Sequence, residues 1–300
     1  MIEATDIHKR FKNVEALNGI SFSVADNEIF GVIGPDGSGK TTLFRILASL
    51  MLPDSGAATL NGLNVIKHYK KIRHIIGYMP GRFSLYQDLS VEENLNFFAT
   101  VYHTSVKKNY HFIEAIYRQL EPFKKRRAGA LSGGMKQKLA LCCALIHKPE
   151  ILIWDEPTTG VDPVSRKEFW DMLAELKQHN ITILVSTAYM DEARLCDRIA
   201  LMRNGNFIAT DTPQGIINSF SHTLWAVKTE RMSASLKTIR SHPKVNTCYA
   251  FGDTHHVTCY HDFTTDELAR YLHQQGYDFV RITPVAPTVE DCFMAMAVVD

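Results

Sequence analysis

The stretch Gly34-Pro35-Asp36-Gly37-Ser38-Gly39-Lys40-Thr41-Thr42 decides how this chain folds. It fits the pattern G-x-x-x-x-G-K-[ST], follows the apolar segment IFGVIG (29–34) and precedes the helical pattern TTLFRILASL. Phosphate oxygens need several donors that converge from one side, and glycines allow consecutive backbone N–H groups to point inward. A helix N-terminus adds partial positive charge. The stretch therefore predicts a phosphate-binding loop between a buried strand and a helix.

Two residues of this stretch, Lys40 and Thr41, and two distant carboxylates fit the same phosphate-binding chemistry. Lys40 can reach the β- and γ-phosphates, and the Thr41 hydroxyl can bind Mg²⁺. In ILIWDEP, Asp155 and Glu156 end an apolar strand, where open α/β sheets place their ligands. Asp155 would hold Mg²⁺ through water, and Glu156 would orient or deprotonate the attacking water. A strand-end Asp-Glu pair is weak evidence alone, because such pairs are often caps or loop acids.

A second anion-binding element is predicted at LSGGMKQ (131–137). Ser132 is a favourable N-cap, and Gly133 and Gly134 leave free N–H groups at the start of an apolar helix. An ordinary capped helix would be the preferred interpretation if the motif stood alone.

The order of patterns predicts an α/β fold with a largely parallel central sheet. Residues 29–34, 151–156 and 181–187 are short, continuous and β-branched, which is typical of buried strands. The opening stretch alternates with period two and predicts antiparallel strands, whereas residues 93–127 predict helices.

Residues 218–300 predict a second, smaller domain. Their pattern gives the order β-α-β-β-α-β, which indicates a ferredoxin-like α+β sandwich. His255 and His256 could form a surface metal site, although solvent-facing histidines without a metal are the preferred alternative.

Composition excludes several function classes. The 300 residues carry 33 Lys and Arg against 32 Asp and Glu, so the balance shows no global attraction to nucleic acid or anionic lipid. Six cysteines without CxxC spacing indicate reduced thiols in a cytosolic protein. The opening MIEATDIHKRFK has no signal-peptide pattern, and no apolar run approaches the ~18 residues of a spanning helix. We expect any membrane role to depend on another protein.

The three motifs together resemble those of ATP-binding cassette (ABC) ATPases. The loop resembles their Walker A motif, ILIWDE their Walker B motif and LSGGMKQ their signature sequence. Phe11 matches the aromatic residue that stacks on adenine, and Asp162 of VDP matches the D-loop. The resemblance covers about residues 2–217, with a helical subdomain near 83–145. Residues 218–300 resemble, less specifically, the accessory domain of ABC-2 exporter ATPases.

The resemblance implies a P-loop NTPase fold of the ABC type, with ATP and Mg²⁺ as cofactors. Two cassettes pair head to tail, so that each nucleotide lies between the Walker A motif of one and the LSGG of the other. Glu156 and Lys40 become the expected catalytic residues, and Thr41 and Asp155 the metal ligands. The expected nucleotide contacts are Phe11, Gly34, Pro35, Asp36, Gly37, Ser38, Gly39, Lys40, Thr41, Thr42, Ser132, Gly133, Gly134 and Asp162.

Three positions depart from the family pattern. Ala188 replaces the usual histidine after the strand that follows Walker B, and Gly81 replaces the Q-loop glutamine. Alanine offers neither donor nor acceptor for the γ-phosphate or the attacking water. Arg82 could approach the γ-phosphate, but a surface position is the preferred interpretation. Asp36 replaces an asparagine, for which we expect a role in capping the loop.

These departures predict that ATP binding survives and that hydrolysis at this site is impaired. We expect an exporter ATPase on the cytoplasmic face of the cell membrane, bound to ABC-2 permease subunits. A second cassette should complete it, with a heterodimer favoured over a homodimer, and without nucleic acid. Residues 82–103 lie where the family docks a coupling helix, although Phe97 and Phe98 could equally be core aromatics. The alternative is a non-transport regulatory or nucleic-acid-associated factor.

Overall fold

The computed structural model describes residues 1–260 and 262–297, which divide into two compact units. The first unit is Met1–Thr212, and the second begins at Pro213. The boundary expected from the sequence lies after residue 217, whereas the observed boundary lies before Pro213. The short helix Pro213–Asn218 therefore belongs to the second unit.

The first unit contains two sheets with their helices. In chain order its elements are β1 (Ile2–Phe11), β2 (Val14–Val24), β3 (Ile29–Ile33), α1 (Lys40–Leu47), β4 (Ser55–Leu60), β5 (Leu63–Asn64), α2 (Tyr69–Ile75), β6 (Ile76–Met79), α3 (Val91–Val101), α4 (Val106–Tyr117), α5 (Gly133–Leu145), β7 (Ile151–Asp155), α6 (Pro163–Gln178), β8 (Thr182–Thr187), β9 (Arg198–Arg203) and β10 (Asn206–Asp211). One sheet has the order β2-β1-β4-β5 and is antiparallel. The other has the order β10-β9-β3-β8-β7-β6, in which β10 is antiparallel and the other pairs are parallel.

The three predicted buried strands become neighbours in the order β3-β8-β7. Every residue of each strand is buried, as expected when helices cover both faces of a parallel sheet. Because parallel strands end at one edge, the loops that follow β3, β7 and β8 meet there. The predicted α/β class is confirmed, and so are the antiparallel strands at the start of the chain.

The core of this unit joins both sheets through α1. Phe44 and Leu47 of α1 are fully buried with Phe30 of β3. The helices α3 and α4 both contact α5. A capping box at Ser90 and Glu93 begins α3, because each side chain accepts from the other's backbone N–H. Among the described residues, no helix combines the length and apolar character that crossing a membrane requires.

The second unit is a small α+β sandwich. Its elements are α7 (Pro213–Asn218), β11 (Thr223–Thr229), α8 (Met232–Arg240), β12 (Val245–Phe251), β13 (Thr254–Cys259), α9 (Thr265–Gln274), β14 (Val280–Pro284) and α10 (Val289–Met296). The sheet order is β12-β13-β11-β14 with antiparallel neighbours. The order β-α-β-β-α-β predicted from the sequence therefore occurs from β11 to β14.

The preference for solvent-facing positions at His255 and His256 is wrong. Both residues are buried, because β13 is an interior strand whose alternating side chains enter covered faces. The ring of His255 hydrogen-bonds through Nε2 to the Met232 carbonyl at 2.8 Å, and His256 Nδ1 lies 2.5 Å from Asp291 Oδ1. Within the described residues, no group of three or more His, Cys, Asp or Glu side chains could hold a metal ion. The suggested metal site is therefore not formed.

Candidate nucleotide site

The glycine-rich loop joins β3 to α1 in a conformation that two of its glycines make possible. Gly39 has φ 112°, and a Cβ atom there would lie 2.3 Å from the Ala16 carbonyl oxygen. A Cβ atom on Gly34 would lie 2.1 Å from the carbonyl oxygen of Met202. Any side chain at either position would collide with backbone, so the loop can pack against the strands only with glycine there.

Lys40, the first residue of α1, folds back under this loop. Its Nζ donates to the carbonyl oxygens of Gly34 at 2.8 Å and Pro35 at 3.0 Å. The same Nζ lies 3.2 Å from Oε1 of Glu156, while the Lys40 side chain is buried. The loop therefore holds the ammonium group close to the carboxylate that ends the Walker B segment.

Asp155, the last residue of β7, is buried and hydrogen-bonded from two sides. Ser186 donates its hydroxyl to Asp155 Oδ1 at 2.7 Å, and the Thr41 side chain also hydrogen-bonds to Asp155. Burial raises the pKa of Asp155; the bonds from Ser186 and Thr41 oppose this rise, and the charge of Glu156 adds to it. The predicted metal ligands Thr41 and Asp155 are thus in direct contact.

Glu156 is held by its backbone as well as by its side chain. It has φ 50°, in the left-handed region that few residues other than glycine adopt, and its N–H donates to Ser186 Oγ at 2.9 Å. Its Oε2 accepts from Thr159 Oγ1 at 3.4 Å. Ser186 therefore positions both acids. Sequence reasoning missed this role, although the register of β7 and β8 pairs Asp155 with Ser186.

An open cavity of 550 Å³ lies between these groups and the segment that follows β6. Thr41, Asp155 and Glu156 line one side. The remaining lining residues are Arg45, Pro80, Gly81, Arg82 and Thr159. The cavity brings together the predicted metal ligands and the predicted water-activating acid with Gly81, which holds the Q-loop glutamine position, and with Arg82 beside it.

The residues present fit a nucleotide phosphate with Mg²⁺. Ser38 Oγ is buried in the loop and has no hydrogen-bond partner in the described chain. The Thr41 hydroxyl and the Asp155 carboxylate offer oxygen ligands, which Mg²⁺ prefers. Because Mg²⁺ is usually bound by one or two protein oxygens plus substrate phosphates, this small donor set suits it.

Two of the three positions that depart from the family pattern, Gly81 and Ala188, lie at this edge of the sheet. A Cβ atom on Gly81 would lie 3.1 Å from the Asp155 carbonyl oxygen, so a longer side chain would begin directly over the Walker B acids. Ala188 follows Thr187 at the end of β8, and the Thr187 carbonyl accepts from the Gly34 N–H at 3.1 Å. Neither Gly81 nor Ala188 supplies a polar side chain there.

The capped helix start predicted at residues 131–137 is observed. Ser132 caps α5 by accepting from the Met135 N–H at 3.4 Å, and Gly133 is exposed. A Cβ on Gly134 would lie 3.3 Å from Ser165 Oγ near the start of α6. Asp162 caps α6 through the N–H groups of residues 164 and 165. In the described structure none of these predicted residues lines the cavity above Lys40.

The other predicted nucleotide contacts have different surroundings. Phe11 ends β1 with 43% of its surface exposed, and Lys9 Nζ lies 5.6 Å from its ring centre. Thr42 lies in the first turn of α1, whereas Pro35 is exposed in the loop. The expected capping role of Asp36 is not observed, because this exposed carboxylate makes no hydrogen bond to any described residue.

A buried acid missing from the sequence-based set organises the chain beside this site. Glu192 is 2% exposed and accepts from the Thr158 hydroxyl at 3.0 Å and the Thr187 hydroxyl at 2.6 Å. Its other oxygen accepts from Arg166 Nε at 3.1 Å, and Arg166 also pairs with Asp191. The network ties the segment after β7 to the end of β8 and the first turns of α6.

A separate groove lies beside the helical subdomain. Its volume is 270 Å³, and its lining combines β6 and α5 residues with Phe83, Phe98 and Arg82. Tyr86 and Phe97 lie next to each other with ring centres 4.9 Å apart, and both are exposed. The interpretation of Phe97 as a core aromatic is therefore wrong, since its ring contributes to the surface of this subdomain.

Comparison with known proteins identifies the cassette. The family model described as ABC transporter matches residues 17–159. A probable multidrug ABC transporter ATP-binding protein, YbhF of Escherichia coli (strain K12), is 35% identical over 300 residues, covering 98% of this chain and 51% of the relative. The chain thus spans about half the length of that relative. Nod factor export ATP-binding protein I of Rhizobium sp. (strain N33) is 33% identical, covering 98% of this chain and 96% of the relative.

Solved structures support the same assignment. An ATP-binding subunit of an ABC transporter aligns with a TM-score of 0.67 and 29% identity, covering 73% of this chain and 93% of the other. The cbiO1 protein from Clostridium perfringens, part of an ABC transporter complex, aligns with a TM-score of 0.65 and 25% identity, covering 73% and 90%. The Walker-type loop, the strand-end acids and these relatives agree, and the chain belongs to the ABC transporter family as an ATP-binding protein.

Proposed function

We propose that this chain is the energy-coupling ATP-binding subunit of an ABC-2 type exporter, and that its own Walker A half-site binds ATP but hydrolyses it slowly. One observation carries the proposal. Thr41, Asp155 and Glu156 line one cavity, and Lys40 Nζ lies 3.2 Å from Glu156 Oε1, whereas the facing segment begins with Gly81, which has no side chain. Relatives named for multidrug transport and for Nod factor export favour the exporter class.

Binding of ATP would use groups that the fold already holds in place. Lys40 would exchange its contact with Glu156 for the β- and γ-phosphates, and loop N–H groups would donate to the same oxygens. Thr41 and Asp155 would hold Mg²⁺, which when bound neutralises charge on the phosphates. The loop residues 34–42 and Phe11 would contact the nucleotide, with Phe11 stacked on adenine.

Hydrolysis needs groups that this half-site lacks. Glu156 remains to orient or deprotonate the attacking water. A glutamine at position 81 and a histidine at position 188 would be the further donors and acceptors around that water, and Gly81 and Ala188 provide none. Loss of one preorganised polar group typically costs ~10²–10³ in rate, so we expect slow turnover here.

We infer that a second cassette completes the assembly. Ser132, Gly133 and Gly134 are accessible at the start of α5, where they can contact a nucleotide bound by another cassette. Asp162 lies at the start of α6 and would contribute to the same interface. In a pair of unequal cassettes, the intact element at residues 132–134 can complete the nucleotide site of the other cassette, although this chain's own loop site is incomplete. A heterodimer is therefore favoured over a homodimer.

The exporter assignment places the chain on the cytoplasmic face of the cell membrane, bound to ABC-2 permease subunits. The groove lined by Phe83 and Phe98 would receive a permease coupling helix, and the exposed ring of Phe97 would extend that surface. The second unit would serve as the accessory domain. Copurification with an integral membrane protein after detergent extraction would separate this role from a non-transport cassette factor.

Two linked measurements test the proposed half-site. Mg-ATP binding and steady-state hydrolysis are measured on the purified chain, with Lys40→Ala as the control. We expect binding that Lys40→Ala abolishes, together with very slow hydrolysis. Absence of ATP binding would refute the assignment of the loop, and fast hydrolysis that Glu156→Gln removes would refute the impaired half-site.

A further inference from the structure

We propose that Arg82 contacts the terminal phosphate of ATP and so contributes to recognition that the side chain missing at position 81 would otherwise provide. The inference rests on the proposed ATP site. Arg82 is exposed, as the sequence analysis expects, and it lines both the cavity beside Glu156 and the groove beside Phe83.

The position of Arg82 in the cavity supports a contact with the terminal phosphate rather than with adenine or ribose. The preceding residue, Gly81, lies over the Walker B acids, since a Cβ atom there would be 3.1 Å from the Asp155 carbonyl oxygen and 3.6 Å from Glu156 Cβ. Asp155 and Glu156, which would hold Mg²⁺ and activate the attacking water, are therefore the nearest neighbours of Gly81. The γ-phosphate is the part of ATP that must lie beside them.

The guanidinium group of Arg82 is also available for a ligand. Within residues 1–260 and 262–297 it makes no hydrogen bond or ion pair, and the residue is exposed. Arg45, the other arginine of the cavity, differs because its side chain hydrogen-bonds to Tyr78. Arginine binds phosphate through two parallel N–H groups, which a glutamine amide cannot do.

The absence of a side chain at position 81 leaves room for this arrangement. A glutamine there would begin 3.1 Å from the Asp155 carbonyl oxygen and would share the cavity with Arg82. With glycine, position 81 contributes only backbone to the cavity wall, where the cationic residue Arg82 follows it. A cation at this place favours binding of the charged triphosphate without supplying a group that orients water, which agrees with a half-site that binds better than it hydrolyses.

The test compares affinities for two nucleotides that differ by the terminal phosphate. Isothermal titration calorimetry gives the Kd of Mg-ATPγS and Mg-ADP for the full chain and for Arg82→Ala, Arg82→Lys and Arg118→Ala. Arg118 is a matched control, because it is an exposed arginine on the helical subdomain that pairs with Glu114. Thermal unfolding of each variant verifies that the fold is retained.

We expect Arg82→Ala to weaken ATPγS binding by about tenfold or more and ADP binding by less than about twofold, because one charge-assisted contact to phosphate is lost. Arg82→Lys should give an intermediate loss, and Arg118→Ala should change neither affinity. Equal weakening of both nucleotides, or no change in either, would overturn the inference while leaving the ATP site intact. A wild-type chain that binds neither nucleotide would overturn the proposed function itself.

Discussion

Replacement of Glu192 by alanine should destabilise the first unit by about 3 kcal/mol. The carboxylate accepts hydrogen bonds from the hydroxyls of Thr158 and Thr187 and from the Arg166 guanidinium. All three donors lose their acceptor, and an unsatisfied buried polar group costs about 1–3 kcal/mol. Arg166 is the least affected donor, because it keeps its ion pair with Asp191. Three donors at about 1 kcal/mol each give the expected value.

Asp191 provides a matched control for this experiment. It pairs with the same arginine, but 69% of its side chain is exposed, so Asp191→Ala should leave stability unchanged within error. The assay is urea unfolding followed by tryptophan fluorescence in a Trp225→Phe background, where Trp154 and Trp170 report on the first unit alone. Equal effects of the two substitutions would refute the reasoning, as would a Glu192→Ala chain of wild-type stability.

Three further predictions address other parts of the structure. Gly39→Ala should cost about 1–3 kcal/mol and abolish ATP binding, measured by chemical unfolding and calorimetry, because it combines positive φ with a contact to Ala16 backbone. Ser90→Ala should cost ~1 kcal/mol in thermal or urea unfolding by removing the cap of α3. Burial alone would raise the pKa of Asp291, but hydrogen bonds, chiefly from Thr288, hold it below its usual value. The second unit should therefore lose stability as pH falls through that lowered pKa, and Asp291→Asn should flatten this acid dependence.

The parts of the fold that depend on local pattern could be predicted from the sequence. The apolar runs that end at Gly34 and Asp155 became parallel strands on either side of β8, and their carboxyl ends lie at one edge of the sheet, as open α/β sheets require. Ser132 caps its helix as its position before two glycines indicated. These features are encoded within a few residues, so a single sequence contains enough information to derive them.

Features that depend on contacts between distant segments could not be derived in the same way. Ser186 hydrogen-bonds to both strand-end acids from a neighbouring strand. Glu192 accepts hydrogen bonds from residues of three different segments. Because most of these partners are far apart in the sequence, neither role is visible in a local pattern. His255 and His256 look polar enough for the surface, yet their strand is interior. Asp36 shows the converse error, since a residue type suited to capping is simply exposed.

The most direct test of the account compares steady-state Mg-ATP hydrolysis by the wild-type chain and by the Gly81→Gln/Ala188→His double variant. Two copies of the double variant would form complete sites, because each retains its own LSGG element. The account predicts that the double variant turns over at least about tenfold faster than wild type, and that Glu156→Gln abolishes the gain. A wild-type chain that already hydrolyses ATP as fast as the double variant, with a rate lost in Glu156→Gln, would contradict it.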